Sequence, residues 1–336
     1  MQVTDRQNLS SGKYRRMNRL CNADGQFAML AIDQRQSLQK MISRQMGCDP
    51  EKVGGHELGL VKRIITRSIS PLSTAVLTCP EYGYPGSLEV ISPSIGVILS
   101  SEVTGYDLRG KDERLSRLMT GWDVEQPLKS GADAVKLLIW HHPDTTEATH
   151  QHQQEIVQRV GEACSSAQMP FVLEIVVYGL NGQDTTSADF ARVKPRYVLD
   201  AARTYSNPKF AVDLLKLQFP GELKFTEEYQ STGYGTGFAL YDRSQVRQYC
   251  TDVDAACAVP WVILSAGVGI GEFTENIRLA NKAGASGFLC GRAVWKNVID
   301  FFPHKDQMQQ YADETGCRYF ESIRQANHEA VPWQQH

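Results

Sequence analysis

Several absences narrow the function before any motif is read. The longest apolar runs are about 6–9 residues, whereas a bilayer-spanning helix needs about 20. No block of Lys or Arg stands out, and 35 basic against 38 acidic residues leave a net charge of −3, so a nucleic-acid footprint is not expected. The opening MQVTDRQNLSSGKYRRMNRL is basic but has no apolar core of a secretory signal, and the chain reads as cytoplasmic. None of the eight cysteines forms a C-x-x-C pair; they read as buried, reduced thiols rather than a disulfide scaffold. No linker or low-complexity stretch divides the 336 residues.

What is present is a recurring short apolar run rich in Val, Ile and Leu. Eight occur: 27–33, 73–81, 95–102, 132–140, 170–178, 212–220, 260–267 and 287–295. Near-continuous apolar runs are strands buried on both faces, as in a parallel sheet. Amphipathic stretches separate most of them, including 152–168 and 271–283. The starts are about 37 residues apart on average, the pitch of βα units, and eight such units predict a closed (β/α)8 barrel in the α/β class. An open doubly wound sheet is the alternative. The spacing of 22 residues between the second and third runs leaves room only for a short helix. We expect one domain, with an N-terminal preface (1–26), the barrel (27–299) and a C-terminal helical tail (300–336).

Barrel sites lie at the C-terminal strand ends, so charges at inward-facing positions matter most. Lys136 shares parity with Ala134 and Leu138, Glu174 with Val172 and Val176, and Lys216 with Leu214 and Gln218. Two lysines then face one carboxylate in apolar strands. An ion pair that merely ties strands together is one reading, but such a pair adds little over apolar packing. Desolvation and a second cation instead favour a neutral amine, suited to Schiff-base chemistry with Glu174 moving protons.

A second constellation sits on the last two strands. Ser265 and Gly267 follow the seventh, Gly291 and Arg292 the eighth, where barrels often hold phosphate. Tight βα turns would also use these glycines. Asp33, Gln34 and Arg35 end the first run and would meet an acidic substrate's far end, or Asp33 would cap a helix. His141 and His142 read as surface or loop histidines; no metal or other cofactor is expected.

The segments AIDQR (31–35), EYGYPG (81–86), TGYD (104–107), GADAVKLL (131–138), FVLEIVVY (171–178), VKPRYVLDAA (193–202), DLLKLQFP (213–220), VILSAGV (262–268) and LCGRAVW (289–295) resemble the class I tagatose-1,6-bisphosphate aldolases over roughly residues 15–300. The resemblance implies a metal-independent barrel that cleaves ketohexose bisphosphates to dihydroxyacetone phosphate and glyceraldehyde 3-phosphate. It implies Lys216 as imine-forming lysine, Glu174 as acid/base and Lys136 as neighbouring cation, with Ser265 and Arg292 on phosphate. A related branch acting on 6-deoxy-6-sulfofructose 1-phosphate resembles FAMLAIDQR (27–35), PWVILS (260–265) and the segment at 283–295. A sugar-phosphate substrate, no membrane or nucleic-acid partner and a homo-oligomer are therefore expected. A phosphosugar isomerase using Glu174 without a covalent step, and a non-catalytic sensor, are the competing functions.

Overall fold

In the computed structural model, which describes residues 9–336, each of the eight runs contains a strand of one closed parallel barrel. The strands are β1 (Phe27–Ala31), β2 (Ala75–Thr78), β3 (Gly96–Ser100), then β6 (Ala134–His141), β7 (Phe171–Val177), β8 (Leu214–Gln218), β9 (Trp261–Leu264) and β10 (Gly287–Cys290). Between β3 and β6 an antiparallel hairpin intervenes, β4 (Asp107–Arg109) and β5 (Glu113–Leu115), which the apolar pattern does not announce. The last run is shorter as a strand than as a sequence pattern. It stops at Cys290, because residues 292–295 turn into a helix after Gly291.

The helices are α1 (Ser11–Leu20), α2 (Gln36–Met46), α3 (Gly55–Ile69), α4 (Tyr84–Ser87), α5 (Glu125–Lys129), α6 (Glu147–Ser166), α7 (Ala188–Tyr205), α8 (Arg243–Ala256), α9 (Ile270–Ala283), α10 (Arg292–Trp295), α11 (Lys305–Tyr311) and α12 (Cys317–Ala326). The narrow second gap holds only four-residue α4 and one 3-10 turn. Their starts follow local chemistry: Asp242 caps α8 by accepting from Gln245 N while Gln245 returns a bond to the Asp242 N–H. Among the described residues no helix is long and apolar enough to cross a membrane.

Strand alternation divides the core in two. On β7, Phe171, Leu173, Ile175 and Val177 pack outward under the helices, while Val172 joins Ala134, Leu214, Val262, Leu289, Leu77 and Met29 inside the barrel. Met17 and Leu20 of α1 and Trp333 close the inner cluster from the N-terminal end of the strands. Burying each Val, Leu or Met among these is worth about 1.5–3 kcal/mol. There Lys13 Nζ meets Asp213 Oδ2 at 2.7 Å, and the same oxygen accepts from Phe171 N at 2.8 Å.

The expected preface falls partly on residues 1–8, which lie outside the described residues; its Ser11–Leu20 stretch is helix α1, and residues 21–26 form a turn into β1. The tail packs through Phe320 and Ile323 into the outer core, and Asn327 donates to Phe27 O at 3.1 Å. All eight cysteines are free; Cys79, Cys164, Cys250 and Cys290 are buried, whereas Cys21, Cys48, Cys257 and Cys317 are only half-buried, against the expectation of uniformly buried thiols.

Candidate active site

Climbing the inward rows toward the C-terminal strand ends, apolar side chains give way to charges. Ala134 is followed two residues on by Lys136, Val172 by Glu174 and Leu214 by Lys216. Register places Glu174 directly beside Lys216, with Leu138 on the other side. Lys136 therefore starts one step lower, and its fully buried chain rises to the same level.

The ammonium of Lys136 lies 3.0 Å from Asp33 Oδ2, 2.8 Å from Glu102 Oε1 and 2.9 Å from Glu174 Oε2. Lys216 Nζ meets the same Glu174 oxygen at 2.8 Å. The expectation of two lysines against one carboxylate is thus corrected: three carboxylates converge. The extra two arrive on loops after β1 and β3, which inward parity within the strands does not cover. Arg35 completes the set. It donates to Glu81 at 2.9 Å and to Glu102 O at 2.7 Å, and its guanidinium approaches Glu102 Oε1 at 3.4 Å. Arg35 is committed to bracing the loop after β3.

The number of carboxylate partners separates the two lysines. Burial alone would lower the Lys136 pKa, but Asp33, Glu102 and Glu174 outweigh it and hold the group well above the usual lysine value. Burial would raise the acids Asp33 and Glu174, yet Lys136 and then Lys216 pull both below the ordinary carboxylate range. Lys136 is held as a cation, whereas among the described residues Lys216 forms an ion pair with Glu174 alone, the carboxylate the two share. Among the described residues no group of three or more His, Cys, Asp or Glu could hold a metal ion. The converging carboxylates surround an ammonium instead.

Above these charges opens a cavity of about 450 Å³ lined by Asp33, Gln34, Lys136, Glu174, Gln218 and Arg292, among others. Asp33 Oδ1 and Gln34 Oε1 are buried at its edge without a protein partner among the described residues, so both have hydrogen-bonding capacity left over. The last two strands supply its other wall. Gly267 (φ +86°) turns the chain after β9 where a side chain would be strained, and a Cβ there would stand 3.7 Å from the Arg292 guanidinium carbon. A Cβ at Gly291 would stand 2.9 Å from Ala31 O and 3.1 Å from Gln34 Nε2, so that position has no room for one. Ser265 is buried beside them, and its carbonyl accepts from Val268 N at 3.0 Å to close the turn. Among the described residues no carboxylate pairs with Arg292.

The histidines are corrected. His141 and His142 are both buried: His141 Nε2 lies 2.9 Å from Asp200, and the His142 ring packs tilted against Tyr197 with centroids 4.4 Å apart. Helix α7 covers both, which adjacency to a strand end does not reveal. Glu102 is the residue sequence reasoning missed; its only signal is an acid closing the third apolar run.

Comparison with known proteins gives the chain's family. The family model for DeoC/LacD family aldolases matches residues 27–297. Tagatose 1,6-diphosphate aldolase of Staphylococcus aureus strain RF122 is 31% identical over 331 residues, covering 97% of this chain and 98% of that protein; the strain Newman protein matches to the same extent. Among solved structures, an archaeal fructose 1,6-bisphosphate aldolase is similar with a TM-score of 0.56 and 16% identity over 92% of this chain and 99% of the other. The fructose-bisphosphate aldolase of Plasmodium falciparum is similar with a TM-score of 0.65 and 14% identity over 95% of each chain. These two likenesses show a shared barrel. Family model and sequence relatives together show that the chain belongs to the DeoC/LacD family of aldolases.

Proposed function

We propose that this aldolase is of class I and cleaves a ketohexose 1-phosphate with a second anionic group. Tagatose 1,6-bisphosphate is the first choice, with fructose 1,6-bisphosphate as a further substrate, and 6-deoxy-6-sulfofructose 1-phosphate is the alternative. The observation that carries the mechanism is the unequal treatment of two buried lysines sharing one carboxylate oxygen. Lys136, ringed by three carboxylates, supplies a permanent positive charge. Lys216, 2.8 Å from Glu174, is the amine placed to react.

In this reading the Lys216 ammonium first passes a proton to Glu174, and the neutral amine adds to the C2 carbonyl. One N–H proton moves to the new carbinolamine oxygen, Glu174 returns the first proton to that hydroxyl, and water leaves a protonated imine. Glu174 then takes the C4 hydroxyl proton, the C3–C4 bond breaks, and its electron pair enters the imine as an enamine. Glyceraldehyde 3-phosphate departs. Protonation at C3 and hydrolysis release dihydroxyacetone phosphate and restore the lysine. Lys136 steadies the carbinolamine oxygen, and Arg292, with which no carboxylate among the described residues pairs, receives a phosphate. The choice of tagatose rests on what the Staphylococcus aureus relatives are named for.

The test is borohydride reduction in the presence of dihydroxyacetone phosphate, followed by peptide mapping. Stable added mass on the Lys216 peptide is expected, and its absence overturns the class I reading. Cleavage rates on tagatose 1,6-bisphosphate, fructose 1,6-bisphosphate and 6-deoxy-6-sulfofructose 1-phosphate, measured side by side, decide the substrate.

A further inference from the structure

The β4–β5 hairpin, which the proposed chemistry leaves unused, carries an arginine in an uncommon setting. The Arg114 guanidinium lies over three aromatic rings, 4.5 Å from the centroids of Tyr106 and Trp140 and 4.6 Å from that of Tyr178. Its backbone is fixed on both sides: the N–H donates to the Tyr178 hydroxyl at 3.1 Å and the carbonyl accepts from Gln153 at 3.0 Å. Three rings from three segments hold the cation in place, yet among the described residues no carboxylate pairs with it. Stacking occupies a guanidinium's faces and leaves its N–H edge available.

The acids around Arg114 are otherwise engaged. On its own hairpin, Glu113 accepts from Thr146 and Thr149, and the neighbouring Asp112 accepts from Asn181 N. Across the cavity Glu222 pairs with Lys194, and Lys224 donates to Thr186 O at 2.9 Å. Burial, and then Glu222, push the Glu272 carboxyl up to about 7, so near neutral pH it repels an anion only weakly.

Arg114 lines a cavity of about 520 Å³ beside the reactive one. Trp140, Val176, Gln218 and Ala266 line both, so the two spaces adjoin. Val176 and Gln218 each stand two residues, about 6.6 Å, beyond Glu174 and Lys216 on the same inward rows. The Gln218 carbonyl accepts from Val177 N at 2.7 Å, which aligns its amide at the junction.

We propose that Arg114, held in its aromatic cage, binds the tetrahedral oxyanion at the far end of the substrate, the group remote from the imine-forming carbonyl. This rests on the aldolase reading of the lysine site. Phosphate and sulfonate share the chemistry required, three oxygens accepting from a planar fork of N–H groups. Arg114 therefore sets which aldehyde fragment the enzyme accepts, without acting on the bonds that break.

Condensation tests this end of the substrate directly. Dihydroxyacetone phosphate is combined with glyceraldehyde 3-phosphate, with sulfolactaldehyde and with uncharged glyceraldehyde, using wild type, Arg114→Met and Arg114→Lys. Arg114→Met should raise KM for the preferred anionic aldehyde on the order of 10- to 100-fold and leave glyceraldehyde kinetics unchanged. Arg114→Lys should restore part of the loss, and the anionic aldehyde whose KM moves more identifies the natural group. Equal losses on charged and uncharged aldehydes, or an unchanged KM for both anionic ones, overturn the proposal. Borohydride trapping with dihydroxyacetone phosphate should match wild type in both variants, because Arg114 lies off the reacting carbon. If wild type fails to trap while Arg114→Met still discriminates against anionic aldehydes, the imine reading falls and the oxyanion site stands.

Discussion

The two ends of the barrel each bury a lysine against carboxylate, with opposite electrostatic results. At the N-terminal end Lys13 and Asp213 form one pair beneath Met17, Leu20 and Trp333. Burial outweighs Lys13 there and raises the Asp213 pKa. At the other end two lysines meet Asp33, Glu102 and Glu174, and the cations outweigh burial, so Asp33 and Glu174 are lowered. An isolated buried pair barely offsets its own desolvation, whereas a network centred on an ammonium with three carboxylate partners stays ionised. The first is a fastening. The second keeps charges ready beside a cavity.

The contrast is broken most severely by removing the reactive amine. Lys216→Ala should abolish borohydride trapping and aldol cleavage, whereas Lys136→Met should leave trapping possible but slower. A label mapped to Lys136 in wild type would reverse the roles of the two lysines. Next in size is Glu174→Gln, which keeps shape and removes the proton carrier. Turnover should fall by about 10²–10⁴-fold with substrate still bound, and a near-unchanged kcat would make Glu174 part of the fastening chemistry instead.

The opposite end should respond in stability rather than rate. Lys13→Met strands a buried carboxyl and should cost about 3–5 kcal/mol in denaturant unfolding, with kcat per folded molecule unchanged. The smallest expected effect is none. Cleavage should persist in EDTA, since an imine at Lys216 supplies the electron sink that a zinc aldolase takes from its metal; loss in EDTA restored by zinc would remove the class I assignment.

The barrel was legible because apolar runs such as FVLEIVV carry their period within seven residues. Lys136, Glu174 and Lys216 stood out for the same reason, as charges interrupting such runs. What resisted reading depends on partners far apart in the chain. Asp33 is visible as a polar strand end, but its contact to Lys136 spans 103 residues. Glu102 closes a run and looks like an ordinary boundary until the loop after β3 bends it 2.8 Å from Lys136. Arg114 sits in a two-stranded hairpin too short to show a period, and its cage is assembled from three segments. The fate of His141 and His142 was set by α7, whose packing onto that strand end leaves no trace in local spacing.

The junction at Lys136 also bears on how the protein can change over generations. Loops after β1 and β3 and a residue of β7 meet on one ammonium, so Asp33, Glu102, Glu174 and Lys136 form a single heritable unit. Substitutions among groups in direct contact do not add, and a second change can be tolerated only on the background of a first. Neutral drift should therefore pass through the outer core and the helices while these four positions stay interlocked. Swapping any one of them alone from a distant relative would then fail where transplanting all four succeeds.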